Sequence, residues 1–430
     1  MTTATDGPVV PVLPPDPGLP GARGLFREGG AEILGRFLST RRWSLVESRP
    51  VQVTYRPERS WIVRYRVRAI NRDGHARVLT LSAETRHRPG RVTDPPASFA
   101  DRYGLPEPVE RIGPYLVWAF PYDPSLEGLP DAAWGPSVRK RLEAAGRPLR
   151  AVSVQPLRYR PRRRGVFRYT GLHGGRASAP QALYGKVVRR VKLPGWDRLP
   201  ARRRRGLRLA TPLAPPHQGL LLFLPLEGRS LRELLLSGGS LPSPERVAGL
   251  LEELPRALGA STEGHDRQAP LSTAAVTADL LRRLAPDAAS TAGRLYEAVA
   301  EGVAVDDVPS GTVHGDLYEA QLFVGGDFSL GLIDLDDSGP GDPAMDAANF
   351  SAHLVALALA VPGSRRRFMA YRSLVRRAFL DRLGVSPAEL AWREALCMFA
   401  LSTGPFRVLN PDWPVEVRRR ADVALRLMAA

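Results

Sequence analysis

The 430-residue chain carries 61 basic and 44 acidic side chains, for a net charge of +17, and one cysteine. That length holds two or three modules with full cores. No stretch reaches the roughly eighteen apolar residues of a membrane helix, and Cys397, alone, cannot close an intramolecular disulfide and is expected as a buried helix residue. A cytoplasmic protein with no membrane partner is therefore expected.

In chain order, residues 1–22 are a Pro/Gly-rich leader without the basic start and apolar core of a signal peptide, and they read as a disordered tail. Residues 23–148 follow as an N-terminal domain and contain half of a repeat. Tyr55-Arg56-Pro57-Glu58-Arg59-Ser60-Trp61-Ile62-Val63-Arg64-Tyr65 matches Tyr159-Arg160-Pro161-Arg162-Arg163-Arg164-Gly165-Val166-Phe167-Arg168-Tyr169 without a gap. The second copy opens a module at 149–226. Leu157 to Tyr169 and Gln181 to Arg190 have the alternation of adjacent strands, joined by the turn-rich Gly171 to Pro180. At the same spacing Lys186 falls on Ser82, and Lys140, Lys186 and Lys192 are the only lysines in the chain. Gly219 to Leu226 is an apolar run of strand length.

Residues 227–430 read as helical. Val247 to Leu258, Ala274 to Leu284, Leu295 to Val303, Phe350 to Val361, Arg393 to Phe399 and Val415 to Met428 have apolar residues at helical spacing, with Pro255 expected to kink or end the first. Inside this part lie Val313-His314-Gly315-Asp316-Leu317-Tyr318-Glu319-Ala320-Gln321-Leu322 and Leu332-Ile333-Asp334-Leu335-Asp336-Asp337. Phosphoryl transfer to a hydroxyl needs a carboxylate that orients the acceptor and takes its proton, and oxygen ligands for a Mg²⁺ on the nucleotide phosphates. Asp316 suits the first role, Gln321 and Asp334 the second. Two short apolar runs around Gly325-Gly326-Asp327 predict a hairpin that brings both ligands to one end.

The order of these motifs, followed by Gly341-Asp342-Pro343-Ala344-Met345-Asp346, resembles the aminoglycoside and choline kinase-like phosphotransferases, relatives of the protein kinases. Gln321 stands where that family has Asn and resembles the bacterial maltokinase branch. The resemblance implies an α+β bilobal protein-kinase-like fold: residues 149–226 as the nucleotide-binding small lobe and hinge, 227–430 as the catalytic large lobe, and 23–148 as a cap that is a degenerate copy of the small lobe. It implies ATP or GTP and Mg²⁺ as cofactors, Lys186 as the phosphate contact, and Phe223, Leu224 and Leu226 in the hinge that holds the base. His314, Asp336, Asp337, Asp342 and Asp346 become supporting residues. The helix glutamate that pairs with the strand lysine in that family is missing, since no Glu occurs between Lys186 and Glu227 and Asp197 is the sole acid there.

Charge bears on the acceptor and on the alternatives. Residues 1–225 hold 40 basic and 17 acidic side chains, residues 226–430 hold 21 and 27, and no Lys or Arg lies between Arg294 and Arg365. An acidic field around the motifs favours Mg²⁺ and a neutral or cationic small-molecule hydroxyl acceptor such as an aminoglycoside, sugar or amino alcohol. The basic half, with Arg162-Arg163-Arg164 and Arg202 to Arg205, leaves open a nucleic-acid binder as a disfavoured class. A nucleotide-binding pseudokinase without turnover is the third reading. Oligomeric state is left open.

Overall fold

The computed structural model describes residues 16–19, 21–26, 28–88, 90, 92–171, 181–191, 207–259, 266–305 and 310–429. The segment 172–180, Lys192, Asp197 and Arg202 to Arg205 lie outside the described residues. The architecture is α+β, in two compact units. One comprises Met1–Val191, Pro212–Leu224 and Pro405–Trp413, the other Lys192–Thr211, Pro225–Gly404 and Pro414–Ala430.

The first unit holds both copies of the repeat. Strands β1 (Trp43–Arg56), β2 (Ser60–Asn71), β3 (Ala76–Arg86), β4 (Val109–Ile112) and β5 (Tyr115–Ala119) form an antiparallel sheet in the order β1-β2-β3-β5-β4. Period-two burial shows why: Trp61, Val63, Tyr65, Val67 and Ala69 are buried while Arg66 and Arg68 on the other face are exposed. A second sheet runs β6 (Val152–Arg160), β7 (Arg164–Gly171), β8 (Gln181–Val188) and the strand Leu220–Phe223. Helix Gly135–Ala144 packs Val138 and Leu142 into its core with Phe167, Tyr169, Leu183 and Val187.

The stretch Leu157 to Tyr169 is two strands, not one. Glu58 and Arg162 occupy the same place in the two copies and both adopt φ 58°, turning the chain back at the repeat motif. A buried aspartate clamps each turn. Asp16 Oδ2 accepts from the Tyr55 hydroxyl and the Glu58 N–H, both at 2.9 Å, while Asp123 Oδ2 accepts from the Tyr159 hydroxyl at 2.7 Å and the Arg162 N–H at 2.8 Å. The other oxygen of each caps a residue two further on, Gly18 N–H or Ser125 N–H. The repeat therefore reaches back to Asp16-Pro17-Gly18-Leu19 and Asp123-Pro124-Ser125-Leu126. Residues read as tail are packed from Asp16 onward, with Asp16, Leu19 and Ala22 buried.

Strand pairing also corrects the counterpart of Lys186. Ser60 pairs with Arg86 but Arg164 with Val188, so the second hairpin is two residues shorter. Lys186 pairs with Val166 and Leu221 as Glu84 pairs with Ile62 and Leu116, so the first copy carries Glu84, not Ser82, at this place. Glu84 is 2% exposed and is held by Arg86 Nε at 2.7 Å and Arg162 Nη2 at 2.5 Å. Burial pushes its carboxyl up, and the two guanidinium groups oppose that.

In the second unit the hairpin Leu322–Val324 and Leu330–Leu332 lies in a four-stranded sheet with Arg229–Ser230 and Arg208–Leu209. The remaining chain is helical. The run around Val247 breaks at Gly249, between Pro244–Ala248 and Leu250–Leu258, and Pro255 lies inside the second helix instead of ending it. Helix Pro387–Ser402 is buried over consecutive residues from Leu390 to Phe399, including Cys397, as a central element must be. Pro405–Trp413, read as large lobe, belongs to the first unit, where Phe406 meets Trp61 edge-on with ring centroids 5.9 Å apart.

Candidate active site

The strand Gly311–Val313 delivers His314, Gly315 and Asp316 to the start of a loop. Gly315 has φ 80°, and a Cβ there would lie 2.2 Å from the Asp337 carbonyl oxygen, so backbone conformation and close approach both require glycine. Asp346, buried on helix Pro343–Ala360, accepts from the His314 N–H at 2.6 Å and the Gly315 N–H at 3.0 Å. His314 is fully buried, and its Nε2–H donates to the Ile333 carbonyl at 2.9 Å. That partner leaves Nδ1 as an acceptor, and the Asp316 N–H donates to it at 3.3 Å. The histidine thus ties the loop to the hairpin through both ring nitrogens.

The predicted hairpin forms with Leu322 opposite Leu332, and the Ile333 N–H donates to the Gln321 carbonyl at 3.1 Å. Gln321 and Asp334 consequently sit side by side at one end. Gln321 is 4% exposed, and its Nε2 donates to Asp334 Oδ2 at 3.0 Å and reaches the Tyr318 hydroxyl at 3.3 Å. Asp334 adopts the left-handed conformation, φ 64° and ψ 52°, which aspartate tolerates better than most residues. Asp336 and Asp337 follow in a 3₁₀ turn, Leu335–Asp337.

Electrostatics single out Asp316. Its carboxyl is pushed up to about 6, first by burial and next by the neighbouring Asp334 carboxylate, with His314 and a hydrogen bond from Asn349 acting in the opposite sense. Asn349 Nδ2 reaches Asp316 Oδ1 at 3.4 Å and donates to the Leu317 carbonyl at 3.1 Å. Sequence reading missed Asn349, although it stands three residues past Asp346 on the same helical face. It also missed Glu319, which is fully buried and paired with Arg232 at 2.7 Å, a contact between residues 87 apart in the chain. Asp342 caps helix Pro343–Ala360 through the Ala344 N–H and pairs with buried Arg393 at 2.6 Å, so it braces helices and not the loop itself.

Asp334 and Gln321 are oxygen donors of the type a hard cation takes. Among the described residues no group of three or more His, Cys, Asp or Glu side chains gathers as a metal cage. Two protein ligands with phosphate oxygens and water would complete a Mg²⁺ shell, provided the Gln321 amide turns to present Oε1.

Residues 199–392 match the phosphotransferase enzyme family, a span that includes Asp316, Gln321 and Asp334. No curated protein matches the chain. Among solved structures, a thermostable mutant of aminoglycoside phosphotransferase APH(4)-Ia in ternary complex with ADP and hygromycin B is 16% identical, covering 68% of this chain and 99% of its own, with TM-score 0.46. Choline kinase LicA from Streptococcus pneumoniae is 14% identical over 68% of this chain and 98% of its own, with TM-score 0.44. A macrolide 2'-phosphotransferase type I is 17% identical over 66% and 96%, with TM-score 0.40.

The remaining predicted residues of this phosphotransferase are divided between the units. Lys186 lies on β8, 9% exposed, on the strand face opposite Leu183 and Val187, which enter the core. Phe223 ends the strand Leu220–Phe223 and Leu224 follows it, both in the first unit, while Leu226 packs near Gly331 in the second. No described helix is long and apolar enough to cross a membrane.

Proposed function

We propose that this phosphotransferase moves the γ-phosphoryl group of ATP or GTP to a hydroxyl of a neutral or cationic small molecule, with Asp316 as the base. The observation that carries the reading is the convergence of Asp316, placed by its pinned loop, with Gln321 and Asp334, placed together by one hairpin. Asp316 hangs from a loop pinned by Asp346 and His314, and its raised carboxyl suits proton transfer near neutrality. Asn349 holds one carboxylate oxygen, leaving the other to orient the acceptor hydroxyl. Asp334 and Gln321 would hold the cation, and Lys186 would contact the nucleotide phosphates as a compact ammonium. A bound Mg²⁺ supplies the positive charge that offsets the nucleotide phosphates during transfer. The acidic surroundings of residues 294–365 favour such an ion and disfavour an anionic acceptor.

Calorimetry of ATP binding to wild type and Asp334→Ala, with and without Mg²⁺, tests the assignment. Mg²⁺ should strengthen binding to wild type and have no effect on the variant. Equal Mg²⁺ dependence in both would remove Asp334 from the metal site.

A further inference from the structure

The amino-terminal excess of arginine converges on one place. In the first unit a cavity of about 390 Å³ is lined by Arg56 and Arg86 from the first copy of the repeat and by Arg162, Arg163 and Arg189 from the second, with Glu127 as the carboxylate among its lining residues. Glu84 engages two of these, Arg86 and Arg162. Arg162 is held further by its Nη1 on Ser125 Oγ at 3.0 Å and by its N–H on Asp123, so this part of the wall is built in advance. Burial lowers the pKa of Arg86 most, Glu84 opposes this, and the charges of Arg162, Arg56 and Arg189 lower it further. The fold thus holds like charges together at a mouth where they repel one another.

We propose that this cavity binds a small molecule bearing a phosphate or diphosphate group. Guanidinium forks match phosphate oxygens two at a time, and several converging on one volume give more positive charge than a single carboxylate would neutralise. The volume lies in the range of small-ligand sites, and arginines gathered around one concave volume differ from a basic stripe that tracks a polymer backbone. Duplication explains the chemistry. The first copy carries Glu84 where the second carries Lys186, and that carboxylate ties together the arginines of both copies. Val188 and Arg189 in the wall follow Lys186 on the same stretch of chain, so the cavity adjoins, without including, the lysine assigned to nucleotide.

The test is calorimetry of the full chain with inorganic pyrophosphate in the absence of divalent metal. Arg56 and Arg189 are exposed and lie outside the Glu84 pairings, so Arg56→Gln with Arg189→Gln leaves those pairings in place. We expect saturable binding by wild type, retained in Lys186→Met and weakened about tenfold or more in the double arginine variant. Absence of saturable binding, or equal affinity in the double variant, would overturn the site. So would loss in Lys186→Met with retention in the arginine variant, which would move the anion to the nucleotide lysine. A single-stranded oligonucleotide that displaces pyrophosphate and binds more tightly than it, with steep salt dependence, would replace the small ligand by a polymer.

Discussion

Gln321 Nε2 and Asp334 Oδ2 lie 3.0 Å apart because a three-residue antiparallel ladder, Leu322 to Val324 against Leu330 to Leu332, places Gln321 opposite Ile333, the residue just before Asp334. The amide also spans to the Tyr318 hydroxyl at 3.3 Å. One amide nitrogen at the end of the glutamine arm therefore serves both partners.

Gln321→Asn shortens that arm by one methylene and cannot keep both contacts. Steady-state kinetics should show kcat reduced about tenfold to a hundredfold, roughly 1.4 to 2.7 kcal/mol in barrier, and a higher Mg²⁺ concentration at half-maximal rate. Parental kinetics would mean that the longer side chain is not required.

Asp346→Ala removes the acceptor for the buried His314 N–H and the part-buried Gly315 N–H. Each unsatisfied donor costs about 1–3 kcal/mol, so denaturant midpoints should fall and turnover should drop with the displaced loop. Asp346→Asn keeps one acceptor oxygen and should lie between. A variant of unchanged stability would show that water replaces the carboxylate there.

Asp123→Ala strips the partner from the Tyr159 hydroxyl and from the Arg162 and Ser125 N–H groups. Destabilisation of about 2–3 kcal/mol is expected, read as a Tm lower by several degrees. The same substitution at Asp16 removes three equivalent bonds and should also lower Tm. Insensitivity of both would contradict the clamp as a shared structural device.

Much of this site is legible in the sequence because its constraints are local. The Gly-Gly-Asp loop predicts the hairpin, and the hairpin alone sets Gln321 against Asp334. Asp346 holds the loop, whereas Asp342 pairs with Arg393, 51 residues on, a partner that order in the chain does not reveal. The same holds for Glu319 with Arg232: no pattern links residues 87 apart until the fold joins them. The repeat was visible only where it is ungapped. Asp16 and Asp123 lie three residues further apart than the turns they clamp, and the shorter second hairpin moves the counterpart of Lys186 to Glu84, so insertions hid both relationships. Pro255 misled because the helix Leu250–Leu258 carries it in its interior, whereas Gly249 ends one helix and begins the next.

The central claim is that Asp316 moves the acceptor proton, and the direct measurement is ADP or GDP formation by wild type and Asp316→Asn with Mg²⁺ across a panel of aminoglycosides, sugars and amino alcohols. Wild type should show acceptor-dependent turnover with at least one of them. Asp316→Asn should lose about a hundredfold or more while calorimetry shows nucleotide still bound. Acceptor-dependent turnover by Asp316→Asn within about tenfold of wild type, or none by wild type with any acceptor, would contradict the account.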